Sequence, residues 1–304
     1  MGGSEMTTPP FFSVVIPTYN CAGLLERALS TVLEQTDQDF EIIVVDNSST
    51  DHTSRVLGAI DDPRLSVFKV NNHGVIAYSR NIGIRKSRGK WIAFLDSDDV
   101  WLPEKLESVH SAILENQDAV LICHDERKVV DGKAGKILRH VPSKPDVYES
   151  LLFCGNCLSP SAVTLRKDVA LSTGGFSERK DFITVEDYEY WIRLSKAGAF
   201  YFINKILGEW HVHGKNISSN AEIHAKAYIR VCEYHLGLWL KENPESKNRV
   251  RRGKSRICSV AAHALLNGRM FSKAFGYSQK ALSLSPFNWK AWAVLLLSVM
   301  RISA

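Results

Sequence analysis

Apolar and polar positions alternate along the first hundred residues in a regular rhythm. Ser13-Val14-Val15-Ile16 is a short β-branched run stopped by Pro17, the signature of a buried strand. Leu24, Leu25, Ala28, Leu29, Val32 and Leu33 then recur at helical spacing and predict an amphipathic helix. Phe40 to Val45 reads as a second strand, and Asp46-Asn47-Ser48-Ser49-Thr50-Asp51 follows as a polar turn. Ser49, Thr50 or Asp51 caps a helix that continues to Ile60. Leu65 to Val70 predicts a third strand, Tyr78 to Lys86 another helix, and Trp91 to Leu95 a fourth strand. Beyond residue 220 the pattern is helical throughout, with one long amphipathic helix from Ala225 to Leu240.

Strict alternation of strand and helix implies crossover connections and a mainly parallel sheet, so the class is α/β. Polar clusters follow three of the strands: Thr18-Tyr19-Asn20, Asp46 to Asp51, and Asp96-Ser97-Asp98-Asp99. Open α/β sheets bind ligands at the carboxyl ends of their strands, so the three clusters should line one crevice. No GxGxxG or GxxxxGK[ST] string occurs, which disfavours a dinucleotide fingerprint and a P-loop.

The acidic turn has two readings. Three carboxylates within four positions repel one another unless a cation absorbs the charge, as in a divalent metal site holding a phosphorylated substrate. Alternatively, the turn caps the next helix, with Asp98 or Asp99 as N-cap.

Over 304 residues, 45% hydrophobic and 23% charged content are ordinary for a soluble globular protein, and a net charge of +5 does not argue for nucleic acid. Basic residues cluster late, with Lys241, Lys247, Arg249, Arg251, Arg252, Lys254 and Arg256 facing only Glu242 and Glu245. That cluster is either a solvated face or an attraction to an anionic membrane surface or a phosphorylated acceptor. Six cysteines are scattered; the Cys154–Cys157 pair has CxxC spacing but no second pair to complete a zinc site, so reduced thiols are expected. No signal peptide is visible, and Ala291 to Met300 is too short to span a bilayer. A cytoplasmic protein is expected, peripheral at most to the inner face of the membrane.

In order, Val14-Val15-Ile16-Pro17-Thr18-Tyr19-Asn20, Ile43 to Asp51, Ser79-Arg80-Asn81-Ile82-Gly83, Phe94 to Asp99, Gly174-Gly175-Phe176-Ser177-Glu178, Glu186 to Leu194 and Trp210 to Ser218 resemble the boxes of the family 2 glycosyltransferases. The match covers roughly residues 11 to 220. The resemblance implies the GT-A fold, a Rossmann-like, mainly parallel sheet flanked by helices and built for nucleoside-diphosphate sugars. Three segments follow: a disordered lead-in over 1–10, a catalytic domain over 11–220, and a helical region over 221–304.

The resemblance also implies roles. Pro17, Thr18, Tyr19 and Asn20 wrap the nucleotide, and Asp46 accepts a hydrogen bond from its base or ribose. Arg80 orients the base loop or the diphosphate. Asp96, Ser97 and Asp98 form the DxD box, with Asp98 the direct ligand of Mn²⁺ or Mg²⁺, Asp96 shared between ribose and metal, and His213 a third metal ligand or diphosphate contact. Asp187 is the base that deprotonates the acceptor. His211 stands where the family often carries Arg, and Ser177 where it commonly carries Asp. Gly155 to Ser159 is expected on the acceptor side, while Trp101 and Trp191 either stack on a sugar or base or fill the core.

In the tail, Ala261, Ala262, Ala264, Leu265, Phe271, Ala274, Ala281, Leu282 and Pro286 resemble one tetratricopeptide-like helix pair, either a cap or a docking and dimer surface. The implied activity is inverting transfer of a sugar from a nucleoside diphosphate, UDP foremost, to a saccharide or lipid-linked hydroxyl, in bacterial surface polysaccharide or glycoconjugate synthesis. The rival from another class is a non-catalytic nucleotide-sugar or partner-binding module working through its tail.

Overall fold

The structure, a computed structural model, describes residues 8–213 and 220–302. Residues 1–7 of the expected lead-in and the Gly214–Ser218 part of the last box lie outside the described residues. The chain divides into two compact units. The first comprises Met1–Val147, Asn156–Ser177 and Arg193–His213; the second comprises Tyr148–Gly155, Glu178–Ile192 and Gly214–Ala304.

In the first unit the strands are β1 (Phe12–Thr18), β2 (Phe40–Asp46), β3 (Leu65–Lys69), β4 (Trp91–Phe94), β5 (Val100–Trp101), β6 (Ala119–Val130), β7 (Lys133–Leu138), β8 (Val163–Arg166) and β9 (Ala199–Val212). They form one sheet in the order β3-β2-β1-β4-β8-β6-β9-β5, with β7 beside β6. The first four strands are parallel, as their alternation with helices predicts. Past β4 the sheet becomes mixed: β8 is antiparallel to β4 and β6, β9 is parallel to β6, and β5 is antiparallel to β9. Strand direction there depends on which long connection returns to which edge, and an apolar run carries no record of that.

The crossovers are α1 (Ala22–Leu33), α2 (Thr53–Gly58) and α3 (Ile76–Lys86), followed by α4 (Lys105–Glu115). Strand β1 is buried at every position because both faces are covered. Val14 and Ile16 join Leu25 and Leu29 of α1 and Leu106 and Val109 of α4 in the main core. On the other face Val15 meets α3, where Gly83 leaves no room for a side chain: a Cβ there would lie 2.2 Å from Val15 Cγ1.

Pro17 does not stop the strand, which runs on to Thr18. Val15 accepts a hydrogen bond from Leu95 on the β4 side, whereas Thr18 accepts from Asn47 on the β2 side. By alternation Pro17 faces β4, and pairing with β4 has ended at Val15 and Phe94. The missing N–H therefore costs no ladder bond.

The second unit holds the larger part of α5 (Val147–Cys154) and most of α7 (Glu186–Leu194), separated in the chain by α6 (Lys167–Ser172) of the first unit. It also holds α8 (Ala221–Glu242), α9 (Lys247–Asn267), α10 (Phe271–Leu284) and α11 (Trp289–Met300). Tyr188 stacks on Tyr228 at 5.7 Å between ring centres and donates its hydroxyl to the Leu151 carbonyl at 2.6 Å. Phe153 meets Trp239 edge-on, and Arg249 lies over Phe153 while pairing with Glu149. Helices α9 and α10 pack on each other, tied by Ser255 Oγ donating to the Ala281 carbonyl at 2.7 Å. None of the six cysteines is in a disulfide, and no helix among the described residues is long and apolar enough to cross a membrane.

Gly83→Ala is expected to lower stability by about 1–3 kcal/mol, because the added methyl must displace Val15 inside a close-packed strand. Urea unfolding measures it, and an unchanged midpoint would show that α3 is free to shift away from β1.

Candidate active site

The chain order reverses between β1 and β4, so a crevice opens where these two strands part. The last rung joins Leu95 N–H to the Val15 carbonyl at 3.1 Å, after which the chain turns through Asp96-Ser97-Asp98-Asp99. Asp99 N–H donates to the Asp96 carbonyl at 3.0 Å and closes the turn.

The three polar strand ends are stitched together. Asn20 adopts a left-handed conformation (φ 48°), donates its N–H to Ser49 Oγ and accepts from Thr50 N–H at 2.7 Å. The sulfur of Cys21 lies 3.2 Å from Thr18 Oγ1 and 3.1 Å from Ser97 Oγ. The N-cap of α2 is His52 and none of the three residues weighed from sequence, but Asp51 just before it accepts from Thr53 N–H of α2 and from Ala22 N–H of α1, both at 3.0 Å. Tyr19 remains 58% exposed at the crevice edge. Asp46 is fully buried at the end of β2; Oδ1 accepts from Ser49 N–H at 3.0 Å, while Oδ2 has no hydrogen-bond partner among the described residues.

The carboxylates of the acidic turn divide by environment. Asp96 receives the guanidinium of buried Arg80 at 2.7 Å. Asp98 lies 3.1 Å from His213 Nε2, and its carbonyl accepts from Arg27. Asp99 is buried, accepting from Ser161 Oγ at 2.6 Å and from His211 N–H at 2.9 Å. Burial and then Asp96 raise the Asp98 carboxyl above its ordinary range, against the pull of His213. Asp99 is pushed well above it by burial, then by Asp98, Glu126 and Asp96. Burial and Arg27 lower His211, whose ring meets Glu209 at 3.2 Å.

Among the described residues no three His, Cys, Asp or Glu side chains are arranged as a ready-made metal site. The donor set nevertheless suits a hard divalent cation: carboxylate oxygens crowded into one turn, with an imidazole beside Asp98. Of the three residues expected as ligands, Asp98 and His213 come together, whereas Asp96 turns to Arg80.

Sequence reasoning missed the supports of this turn. Ser161 donates to Asp99, accepts from Asp96 N–H, and offers its carbonyl to the Trp101 indole at 2.8 Å. Asn81, one position past Arg80, accepts from Phe176 N–H and donates to the Phe176 carbonyl, each at 2.8 Å. Phe176 in turn lies beneath the Arg80 guanidinium at 5.4 Å. Gly175 has φ +69°, and a Cβ there would lie 2.4 Å from Asn81 Oδ1, so the Gly-Gly-Phe box is the seat of the Arg80 helix. Trp101 and Trp191 are both buried, on the core side of the alternatives weighed from sequence.

Asp187 stands in the second unit, half-buried in the first turn of α7 between buried Glu186 and Tyr188, with Glu189 also in that turn. Three acidic residues at a helix start complement its dipole.

A buried polar cluster on β6 had no sequence signal. His140 sits between two acceptors, the Cys157 carbonyl at 2.7 Å and Glu126 at 2.8 Å. Asp125 accepts from His140 N–H and pairs with Arg139. Burial works to lower the His140 value, but Glu126 and the Cys157 carbonyl outweigh it and raise it. Burial and Lys105 drive the fully buried His124 down to about 3.

A model described as Glycosyl transferase family 2 matches residues 13–163. The chain is 30% identical over 211 residues to WfgD of Escherichia coli, a UDP-Glc:alpha-D-GlcNAc-diphosphoundecaprenol beta-1,3-glucosyltransferase, over 68% of this chain and 79% of that one. It is 29% identical over 214 residues to TuaG of Bacillus subtilis, a putative teichuronic acid biosynthesis glycosyltransferase, over 69% of this chain and 82% of that one. The structure of S. aureus TarS 1-349 in complex with UDP-GlcNAc aligns with a TM-score of 0.63 at 16% identity, over 94% of this chain and 90% of that one. The chain spans 54% of the longer TarS structure. Mannosyltransferase PcManGT from Pyrobaculum calidifontis, in complex with GDP-Man and Mn2+, aligns at 0.59 and 16% identity, over 97% and 86%. At such identities these structures speak for the fold alone, and the fold is GT-A: a mixed, helix-flanked sheet with a helical carboxyl-terminal region.

His124 and His140 should give stability two opposite pH limbs. The folded His124 value near 3 lies below the ordinary 6.5, so as pH falls from 6.5 toward 3 the unfolded chain binds a proton that the folded one refuses, and stability drops. The folded His140 value lies above 6.5, so its contribution is complete below 6.5 and is lost as pH rises through the raised value. Chemical denaturation from about pH 5 to about pH 8 should show His124→Gln flattening the acid limb and His140→Gln the alkaline limb. Parallel profiles for wild type and both variants would refute the assignment.

Proposed function

The chain belongs to the family 2 glycosyltransferases, and from that premise we propose a metal-dependent, inverting transfer of a sugar from a nucleoside diphosphate, UDP foremost, to a saccharide or lipid-linked hydroxyl. The chain is a glycosyltransferase related to enzymes of polysaccharide biosynthesis. The observation that carries the finer reading is the carboxylate turn at the β1/β4 switch point. It brings Asp96 to Arg80 and Asp98 to His213 at one strand end.

Asp98, with Asp96 and His213, would hold Mn²⁺ or Mg²⁺, and the bound cation would neutralise the charge growing on the departing diphosphate, a contribution of several kcal/mol. Arg80 acts through Asp96, fixing its carboxylate at the crevice. The unpartnered Oδ2 of Asp46 accepts from the base or ribose, since a buried carboxylate oxygen without a donor costs about 1–3 kcal/mol until one arrives. Pro17, Thr18, Tyr19 and Asn20, with Ser97, close around the nucleotide. Asp187 takes the proton of the acceptor hydroxyl as its oxygen attacks the anomeric carbon. The bond from that carbon to the diphosphate oxygen breaks, the electron pair leaves with the nucleoside diphosphate, and the anomeric configuration inverts.

UDP and a lipid-linked acceptor are supported by the donor and acceptor of the E. coli relative, and a divalent metal by the Mn2+ in the mannosyltransferase complex. Such an acceptor would bring the enzyme to the inner face of the membrane as a peripheral protein.

Asp187→Asn is expected to lower turnover by about 10²–10⁴-fold while UDP affinity stays within about twofold. Unchanged turnover would remove Asp187 from the mechanism. Asp46→Ala should weaken UDP binding by about tenfold in calorimetry, and an unaltered affinity would place the nucleotide elsewhere. Donor hydrolysis across a panel of nucleotide sugars with Mn²⁺ identifies the sugar; no hydrolysis of any donor, with metal-independent or absent UDP binding, would favour a non-catalytic module.

A further inference from the structure

The second unit carries a charge asymmetry that the transfer reaction does not use. From Lys247 to Ala304 the chain has eleven Lys or Arg and no Asp or Glu, against a net charge of +5 for the whole. Within this stretch α11 turns one face inward, with Ala291, Val294 and Ser298 buried against its neighbours. The opposite face is apolar and open: Trp289, Trp292, Leu296, Val299 and Met300 are each at least half exposed, and Phe287 just before the helix is 94% exposed. At 100° per residue those five positions fall within an arc of about 100°, one continuous stripe.

Cations frame the stripe. Lys290 holds its ammonium over the Trp289 ring at 5.6 Å. Near the carboxyl end of α11, a groove of about 600 Å³ is lined by Arg269, Lys273 and Arg301 together with Met270, Phe275 and Val299. Lys273 is taken by Glu222 of α8, but Arg269, Lys290 and Arg301 make no ion pair among the described residues. An apolar, tryptophan-bearing stripe framed by unpaired cations is the composition of a helix that lies in a lipid interface. A helix of 12 residues is about 18 Å long, too short to cross a hydrocarbon core of about 30 Å but suited to lying along its surface.

We propose that the exposed face of α11 docks flat on an anionic lipid bilayer, with Trp289, Trp292 and Leu296 entering the interface and Arg269, Lys290 and Arg301 meeting lipid phosphates. A second copy of this chain is the weaker occupant. Two such faces brought together would set cation against cation, with no acid between Lys247 and Ala304 to pair them. The bilayer supplies the missing negative charge, at about 1 kcal/mol for each basic residue near its surface.

The test is flotation of the full chain with vesicles of phosphatidylcholine, with and without phosphatidylglycerol, alongside the triple variant Trp289→Ser, Trp292→Ser, Leu296→Ser. These side chains are exposed, so the helical circular-dichroism signal should be unchanged. Wild type should partition onto the anionic vesicles, release as salt rises, and shift its tryptophan emission to the blue; the variant should lose at least about tenfold in partition. No partition by wild type, or equal partition by the variant, would overturn the proposal. So would a wild-type dimer in sedimentation that the variant dissolves, because the face would then belong to a second copy. The measurement needs neither donor nor acceptor, so its failure leaves the proposed transfer reaction standing.

Discussion

Like charge crowded into low dielectric governs the first unit. Asp96, Asp98 and Asp99 occupy one turn, and burial together with mutual repulsion pushes Asp98 and Asp99 above the ordinary carboxylate range. Two carboxylates within a few ångströms cost several kcal/mol of repulsion at an effective dielectric near 20 unless something answers them. The surrounding chain supplies the answers: Arg80 from α3, Ser161 from the short 3-10 turn before β8, the His211 backbone from the end of β9 and the His213 ring just past it. Elements far apart in sequence are thus drawn to one point by a single electrostatic demand.

That demand accounts for details that packing alone would leave arbitrary. Arg80 can serve Asp96 only if α3 lies close on β1, and Gly83 permits that approach. The helix is then locked by Asn81, which holds both backbone groups of Phe176, so the aromatic ring beneath the guanidinium cannot drift. Gly174 and Gly175 both hold a positive φ that favours glycine, and at 175 a side chain would also strike Asn81. The seam between β1 and β4, free of ladder bonds past Val15, leaves the space in which the turn projects.

The second unit is organised by burial of aromatic rings. Its surface charge is of one sign over the last three helices, so its intramolecular ion pairs draw their acids from other elements. Glu222 and Glu233 come from α8, and Glu149 from α5. Aromatic stacking of Tyr188 on Tyr228 joins α7 to α8 inside this unit, and the buried Glu189–His235 pair at 3.4 Å adds a polar link between the same two helices. The helix that carries Asp187 is therefore positioned by the tail helices. In the sequence Asp187 falls within the 11–220 segment expected as the catalytic domain.

The alternating rhythm up to Leu95 determined the first four parallel strands and their crossovers, because burial on both faces demands unbroken apolar runs and each crossover needs a helical period. It also marked the acidic turn and the polar cluster that begins at Asp46, since polar groups at strand ends stand out against an apolar background. The resemblance of the ordered boxes then added Arg80 and the carboxylate pair on α7 and supplied their joint meaning. Only the tertiary structure decided that Asp96 belongs to Arg80 while Asp98 meets His213, that Ser161 and Asn81 hold the turn in place, and that β6 buries His124, Glu126 and His140. Those relations join residues 14 to 115 positions apart or lie within one strand of no unusual composition. Local periodicity reports which side of an element is buried. Which charged groups share that burial depends on how the sheet folds back on itself.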